Sequence, residues 1–242
     1  MSAPAAALRA AGRVLATAGV AADAVRRLRR LGDDAGRDDR ALCLRDAARR
    51  LLGSHGIEVH VAGPLPEGPA LLASNHVSWI DPLVVASVLA CVPVSKGEVA
   101  AWPVVGPLAA ALGVLFIVRG DAASGVAVMR AARRILEDGL PVLNFPEGTT
   151  TAGSDVREFH RGLFAVARRA GAPVVPVALA YQPAHLSWTG DQAFLPHWLR
   201  VAALPRARVA VRFGAPLSPR ALDGAAGLAD ATRARVVDLL GA

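Results

Sequence analysis

The sequence predicts an α/β fold in which a central, mostly parallel sheet is flanked by helices. Short apolar runs typical of strands alternate with helical stretches through most of the chain, and this alternation is typical of parallel sheets that are covered on both faces. Residues 57–61, Ile-Glu-Val-His-Val, alternate with the period of two expected of a half-buried strand. The preceding stretch is helical and rich in Ala and Arg, so we expect an N-terminal segment, 1–55, and an α/β domain, 56–242.

The individual elements follow from local signals. Asp81-Pro82 is predicted to begin a helix, because Asp caps a helix N-terminus and Pro suits the first turn. Gly139 ends the helix that precedes it. The predicted strands are 57–61, 70–73, 92–95, 114–118, 141–145, 174–181 and 209–213, and the predicted helices are 81–90, 124–138, 162–170 and 228–240.

The composition limits the class of protein. A chain of 242 residues is long enough for one good-sized core. Its composition, with 53% hydrophobic and 19% charged residues, is apolar for a soluble protein. Cys43 and Cys91 follow no spacing pattern, which argues against a disulfide scaffold and a cysteine-based metal site. We expect a reducing compartment and no bound metal.

Positive charge is concentrated near the N-terminus. Residues 1–50 contain eleven Arg against six Asp, which is +5 of the formal +7. The apolar run 14–22 is too short to span a bilayer, and the Arg cluster 26–30 follows it, unlike the order in a signal peptide. We therefore expect a helix that docks to a membrane surface, with apolar residues Leu8, Val14, Leu15, Val20 and Val25 and charged residues Arg9, Arg13 and Arg26.

Two other interpretations of this basic segment stay open. It is also compatible with a solvated helical cap on the domain, and an Arg cluster attracts nucleic acid as well. The sequence has one Tyr and six Phe, which is little material for stacking bases. We expect a membrane surface as the partner and no nucleic acid.

Several familiar catalytic motifs are absent from the sequence. It has no Gly-x-Ser-x-Gly nucleophile elbow, no phosphate loop ending in Gly-Lys-Ser/Thr and no Gly-x-Gly-x-x-Gly fingerprint. It also lacks the His-Glu-x-x-His pair of zinc enzymes. Three polar clusters remain, and each follows an apolar run.

The first cluster is Asn-His-Val-Ser-Trp-Ile-Asp at 75–81. A carboxylate at Asp81 can hold one ring nitrogen of His76 and leave the other to take a proton from an alcohol. On an isolated His-x4-Asp pair, a plain helix cap at Asp81 beside an ordinary loop histidine is the simpler interpretation.

The other two clusters contain groups suited to anions. Residues 113–120 form an apolar strand that ends in Arg119, whose planar guanidinium suits phosphate or carboxylate. Residues 145–151, Phe-Pro-Glu-Gly-Thr-Thr-Thr, form a polar turn that can hold an oxyanion or phosphate oxygens. Taken singly, a solvated arginine and a polar turn explain both.

Together and in this order, the clusters resemble the lysophosphatidate acyltransferase family, the glycerolipid O-acyltransferases of phospholipid synthesis. The first cluster matches that family's Asn-His-x-Ser-x-x-Asp block, the second its Phe-Ile-x-Arg block and the third its Phe-Pro-Glu-Gly-Thr block. A fourth block, an apolar strand centred on Pro, matches 174–178, and the resemblance covers roughly 71–181.

The resemblance implies a role for each matched residue. His76 would be the catalytic base and Asp81 its orienting partner, with direct attack of the acceptor hydroxyl on a thioester and no acyl-enzyme. Ser78 would then not be a nucleophile. The residues implied to bind substrate are Asn75, Ser78, Lys96, Arg119, Glu147, Gly148, Thr149, Thr150 and Arg161.

One departure bears on the acceptor. Many lysophosphatidate enzymes have Arg where this chain has Thr150, and its loss removes a bidentate phosphate donor. The resemblance therefore implies O-acyl transfer to lysophosphatidate or a related lyso-lipid, with lyso-ornithine lipid or a lysophospholipid as alternative acceptors. The Ser-Trp-Thr-Gly-Asp segment at 187–191 resembles that second group. A catalytically inactive peripheral lipid-binding protein is the alternative of another class.

The remaining expectations concern the acyl group and the location. We expect no cofactor, with acyl-CoA or an acyl carrier protein thioester as co-substrate, at the cytoplasmic face of the membrane. The apolar stretch 100–115 is expected to form the slot for the acyl chain. Its predicted wall residues are Trp102, Val104, Val105, Leu108 and Leu112, with Gly106 and Gly113 between them.

Overall fold

A computed structural model describes residues 3–32, 34–153, 155–183, 186–189 and 192–241. The strands are β1 (Ile57–Ala62), β2 (Leu71–Ser74), β3 (Val92–Lys96), β4 (Leu115–Ile117), β5 (Val142–Asn144), β6 (Val174–Gln182) and β7 (Ala207–Phe213). They form one sheet in the order β1-β7-β6-β2-β5-β3-β4. Within this described part, five neighbouring pairs are parallel and the β6–β7 pair is antiparallel. The predicted mostly parallel sheet is confirmed.

Helices cover both faces of the sheet, as predicted. They are α1 (Ala3–Leu31), α2 (Arg37–Ser54), α3 (Asp81–Val88), α4 (Gly97–Ala100), α5 (Val105–Ala111), α6 (Ala122–Glu137), α7 (Gly162–Ala170), α8 (Phe194–Ala203) and α9 (Gly224–Gly241). Buried residues of α1, α2, α3 and α8 pack mainly into one apolar core, and those of α6, α7 and α9 into a second.

The strand sequences explain the two cores. Along β2, Leu72 packs into the first core while Leu71 and Ala73 pack into the second, as expected because successive side chains point to opposite faces of a sheet. On β7 the alternate residues Val209 and Val211 are fully buried in the first core. Central strands covered on both faces are therefore apolar throughout, whereas the outer strands alternate.

The two N-terminal helices are part of the folded core. Ala24 of α1 and Leu44, Ala48 and Leu52 of α2 are buried in the first core. Helices α1 and α2 therefore pack against the α/β domain, and the predicted boundary near residue 55 stays a prediction.

The structure corrects the predicted charged face of α1. Arg13 is 7% exposed, and its guanidinium donates to backbone carbonyls of Ser54, Ala202 and Pro205, among others. The charge points inward because those carbonyls lie at helix ends, where they have no partners within the helix. Leu8 and Leu15, in contrast, are 77% and 74% exposed, as an interfacial helix requires.

A second correction concerns the length of this helix. α1 continues for 29 residues, well beyond the apolar run 14–22, which is too short to span a bilayer. Among the described residues it is the one helix long and apolar enough to cross a bilayer by length and composition. This supports membrane association of α1 and leaves its depth open.

Helix α8 was not predicted from the sequence. Pro196 lies in its first turn, where a missing backbone N–H is tolerated, but such a proline weakens a helix prediction made from the pattern alone. Helices α4 and α5 were also missed, because each is shorter than eight residues and shows too little periodicity.

Candidate active site

The three polar clusters meet at one edge of the sheet. The first follows β2, the second follows β4 and the third follows β5. These strands run parallel through their neighbours in the sheet, so their carboxyl ends lie at the same edge. Open α/β sheets bind ligands at this edge.

His76 and Asp81 form a directly bonded pair. Nδ1 of His76 lies 2.7 Å from Oδ2 of Asp81. The same oxygen accepts the backbone N–H groups of Val77 at 2.6 Å and Ser78 at 2.9 Å, and Oδ1 accepts the hydroxyl of Tyr181. Asp81 is fully buried, so four donors satisfy a charge that would otherwise be costly to desolvate.

The imidazole of His76 presents its second nitrogen to a cavity. Its ring stacks on Phe145 with centroids 4.3 Å apart, and its side chain is 13% exposed. Nδ1 is held by Asp81, and among the described residues Nε2 has no protein partner. This is the arrangement of a general base that is fixed in orientation and open to an alcohol.

Tyr181 stays a hydrogen-bond donor to this pair. Burial raises the pKa of its phenol well above the usual value, and the neighbouring Asp81 carboxylate raises it further. The neutral phenol therefore persists over the working pH range. The sequence did not predict this role, because Tyr181 lies 100 positions from Asp81. The pattern predicted only that Tyr181 ends an apolar strand.

Glu147 holds the active-site backbone. Its Oε1 accepts the backbone N–H of His76 at 2.7 Å and its Oε2 accepts that of Arg157 at 2.9 Å. Burial raises the pKa of the carboxyl, while the two N–H bonds oppose that shift. Glu147 is 4% exposed, and the two bonds it accepts from backbone N–H groups are contacts of a positioning residue. Its predicted substrate contact stays a prediction.

Asn75 and Ser78 also bond to the protein backbone. The Asn75 side chain is buried, and its amide donates to the carbonyl of Leu179 and accepts from the N–H of Leu179. It thereby ties the end of β2 to β6. Ser78 is fully buried, and it reaches the site through its backbone N–H. Neither side chain forms part of the cavity wall, and a substrate contact by either residue stays a prediction.

Two cations lie at the cavity wall. Lys96 lies at the end of β3 and lines the cavity together with Arg119. It is the one lysine among the 27 Lys and Arg residues of the sequence. Burial lowers the pKa of Lys96 and the charge of Arg119 lowers it further, while Glu98 opposes the shift. Two neighbouring cations that repel each other favour an anionic group of a ligand between them.

The other predicted contacts differ in position. Gly148 lines the cavity with φ of +67°, and a Cβ at this position would lie 3.1 Å from the ring of His160. Glycine is therefore required for both its backbone angle and its lack of a side chain. Thr149 and Thr150 are half-buried next to the cavity wall, and Arg161 is exposed at the N-terminus of α7. A substrate contact by these three residues stays a prediction.

The cavity has a volume of about 390 Å³, and its wall is mostly apolar. All five residues predicted to wall the acyl slot contribute to it. The N-terminal helices close another part through residues such as Val20, Ala24, Leu44 and Ala48. The cavity therefore joins the catalytic pair to a space suited to a hydrocarbon chain.

Further wall residues were not expected from the sequence. Phe194 and Trp198 of α8 and Trp188 of the preceding segment line the cavity. Gly190 and Asp191, the end of the segment thought to resemble the lyso-ornithine group, lie outside the described residues. The described part of the chain contains no group of three or more His, Cys, Asp or Glu side chains placed to hold a metal ion.

Comparison with known proteins agrees with this geometry. A family model described as Acyltransferase matches residues 56–180, just over half of the chain. A lyso-ornithine lipid O-acyltransferase of Pseudomonas aeruginosa is 39% identical over 181 residues, which cover 73% of this chain and 70% of that protein. A 1-acyl-sn-glycerol-3-phosphate acyltransferase of Neisseria meningitidis is 36% identical over 138 residues, which cover 56% of this chain and 54% of that protein.

A solved structure shows the same fold. The 1-acyl-sn-glycerophosphate (LPA) acyltransferase of Thermotoga maritima matches 85% of this chain and 80% of its own, with a TM-score of 0.66 and 21% identity. The family model spans the clusters that contain His76, Arg119 and Glu147. By sequence, by fold and by the presence of these clusters, the chain belongs to the acyltransferase family.

Proposed function

We propose that this enzyme transfers a fatty acyl group from a thioester to the hydroxyl of a lyso-lipid. The observation that supports this is the bonded His76–Asp81 pair in the wall of an apolar cavity of about 390 Å³. A base that faces an apolar cavity suits a reaction between an alcohol and a lipid chain, and the order of the polar clusters supports the same chemistry.

The reaction balances with the groups in place. Nε2 of His76 takes the proton of the acceptor hydroxyl while that oxygen attacks the thioester carbonyl carbon. The C–S bond then breaks, the sulfur leaves as a thiol after receiving the proton, and an ester remains. Asp81 holds Nδ1 and stabilises the imidazolium that forms between these steps.

The head group of the acceptor is proposed to lie at Lys96 and Arg119. We favour lyso-ornithine lipid, because the Pseudomonas relative covers more of this chain than the Neisseria relative does. An ornithine head group has a carboxylate, which suits the two cations. Lysophosphatidate is the second candidate, since the same cations suit a phosphate monoester.

We also propose that the enzyme works at the cytoplasmic face of a membrane and uses acyl-CoA or acyl carrier protein as donor. The exposed Leu8 and Leu15 of α1 and the net charge of +7 support binding to an anionic lipid surface. Both donors have a water-soluble carrier. We therefore propose that the cavity receives the acyl chain from the aqueous side and the acceptor from the membrane.

The test combines a donor and acceptor panel with a substitution of the base. Purified enzyme is offered acyl-CoA or acyl carrier protein with lyso-ornithine lipid or lysophosphatidate, and products are measured by mass spectrometry. His76→Ala should lower thioester-dependent product formation by about 10²–10⁴-fold. His60→Ala is the matched control, because His60 lies on edge strand β1 with a 63% exposed side chain.

The outcomes separate the candidate functions. Near-normal acylation by His76→Ala would contradict the mechanism. No thioester consumption by the wild-type protein with any acceptor, together with vesicle binding, would favour the inactive lipid-binding alternative.

A further inference from the structure

Trp79 forms part of the cavity wall beside the catalytic base. It lies in the same cluster as His76 and lines the same cavity. The sequence has four tryptophans, and all four contribute to this wall. An indole ring in a cavity wall shapes the bound chain only if its orientation is held, and a hydrogen bond holds the indole of Trp79.

That contact comes from His197 on α8. Nε1–H of Trp79 donates to Nδ1 of His197 at 3.0 Å, across 118 positions of sequence. An indole N–H can only donate, so Nδ1 of His197 must be unprotonated. The proton then lies on Nε2, which is 3.2 Å from the carbonyl oxygen of Ser187. His197 is 2% exposed, and these two partners define one neutral tautomer.

Helix α8 is itself anchored independently of Trp79. Nε of Arg9 donates to the carbonyl of Ala203 at 3.0 Å, and Nη1 of Arg13 donates to that of Ala202 at 3.1 Å. The C-terminal end of α8 is therefore bonded to α1. Phe194, on the same helix, packs edge-on against Trp79 with ring centroids 5.1 Å apart. A fixed helix thus presents both an acceptor and a ring to the indole.

We propose that His197 is a positioning residue that fixes the Trp79 indole as the cavity wall next to the catalytic base. It acts on how the acyl chain is held, and it does not touch the reacting atoms. This inference rests on the proposed function, because it assigns the cavity to the acyl chain of the donor.

The first test observes the hydrogen bond without any turnover. In protein labelled with ¹⁵N at tryptophan and histidine, the indole N–H signal of Trp79 is assigned by its loss in Trp79→Phe. We expect slow hydrogen exchange at this N–H, an N–H···N scalar coupling to His197 and the chemical shift of an unprotonated Nδ1. The exchange rate, the coupling and the chemical shift are measured on the wild-type protein, so they do not depend on whether the His197 variants fold.

The second test uses paired variants. His197→Leu removes the acceptor, whereas His197→Asn places an amide oxygen near the position of Nδ1. We expect His197→Leu to raise the KM for the acyl donor about three- to tenfold, with kcat and the acceptor KM within about twofold. His197→Asn should restore both the slow exchange of the Trp79 N–H and the donor KM.

Thr232→Val is the matched control for loss of a buried hydrogen bond. Thr232 is fully buried on α9 and donates to the carbonyl of Leu228 in its own helix, on the opposite side of the sheet. It should leave the Trp79 signal and the donor KM unchanged.

Each outcome bears on the proposal in one direction. Faster exchange of the Trp79 N–H and a raised donor KM in His197→Leu, with both restored in His197→Asn, support the proposal. An absent coupling in the wild type, an unchanged Trp79 signal in His197→Leu, an unchanged donor KM, or equal loss in both variants overturns it. Because the spectra need no substrate, a failure of the acyltransferase function would appear as absent turnover with the Trp79–His197 bond intact.

Discussion

At the scale of single residues, the site depends on carboxylates whose oxygens are all occupied. Asp81 accepts four hydrogen bonds, and Glu147 accepts backbone N–H groups from two separate segments. Both carboxylates are buried, so each bond is stronger than it would be in water, and losing one is costly. The imidazole of His76 is thus fixed at its ring by Asp81 and at its backbone by Glu147.

The first residue-scale prediction concerns the two backbone N–H groups that bond to Glu147. Glu147→Gln replaces one accepting oxygen by an NH₂ group that faces a backbone N–H, so the loop that holds His76 should shift. We expect kcat to fall about tenfold or more, with the acceptor KM within about threefold. Steady-state kinetics measure both, and exposed Glu67→Gln serves as the control. A raised acceptor KM with normal kcat would instead support head-group binding by Glu147.

The second residue-scale prediction concerns the acceptor KM at alkaline pH. Burial and Arg119 lower the pKa of Lys96, and a lysine is charged only below its pKa. Lys96 should therefore lose its charge at a lower pH than an ordinary lysine, and the acceptor KM should rise there. Glu98 opposes the shift, so Glu98→Gln should move this rise to still lower pH.

The control for this pH dependence is Lys96→Arg, whose side chain stays charged over the whole range. Its acceptor KM should not show the alkaline rise. An identical rise in Lys96→Arg would exclude Lys96 as the titrating group.

The three-block pattern indicated the location of these residues but not all their roles. Asn75, Ser78 and Glu147 were identified at the site, and their role as substrate contacts was inferred from the resemblance. A motif specifies residue types and spacing, and it does not show which atoms are already bonded to backbone. Tyr181 shows the opposite limit, because its partner is 100 positions away and no spacing connects them.

At the scale of elements, α1 and α8 are joined by a buried arginine. Arg13 reaches carbonyls at the end of α2, at the end of α8 and in the segment after α8. These carbonyls lie at or beyond helix termini, where the last turns lack intrahelical donors. One side chain therefore satisfies acceptors from three parts of the chain.

The element-scale prediction is a loss of stability on removing this side chain. Arg13→Ala leaves several buried carbonyls without a donor, so the free energy of unfolding should fall by about 2–4 kcal/mol. Denaturant unfolding measures this change. Arg26→Ala is the control, since its side chain is 63% exposed and paired with Asp23 on the surface; it should change stability by less than about 1 kcal/mol.

Strands were more predictable than the short or irregular helices. The strands at 57–61, 70–73 and 174–181 were predicted because a period-two alternation, as in the first, and a short apolar run, as in the other two, are local signals. Helix α8 contains a proline and follows a segment with Gly and Trp, so its local signals conflict. Its helical state depends on packing against α1 and on burial of His197.

At the scale of the whole molecule, the N-terminal helices are both core and cavity wall. The sequence predicts that removal of residues 1–45 weakens membrane binding more than it damages the α/β core. The structure changes this expectation, because Ala24 and Leu44 are buried in the first core and also line the cavity. Truncation would expose that core, so it cannot separate membrane binding from folding.

The whole-molecule prediction therefore uses surface substitutions. Changing Leu8 and Leu15 to Gln together removes exposed apolar area from α1, so flotation with anionic vesicles should fall several-fold while thermal unfolding stays unchanged. Val237→Gln on α9, which is 44% exposed on the other side of the sheet, is the control. Unchanged flotation of the double variant would mean that α1 is not the membrane-binding element.

The parallel sheet, the positions of the strands and the membership of His76, Asp81 and Arg119 in one site were accessible from the order of residues. Apolar periodicity acts over a few neighbouring positions, and parallel strands bring their carboxyl ends to one edge. The partners of these residues depended on the folded chain. Tyr181 bonds to Asp81, 100 positions distant, His197 bonds to Trp79, 118 positions distant, and Arg13 bonds to carbonyls 41 to 192 positions distant. Only close packing of distant segments specifies which buried polar atoms meet.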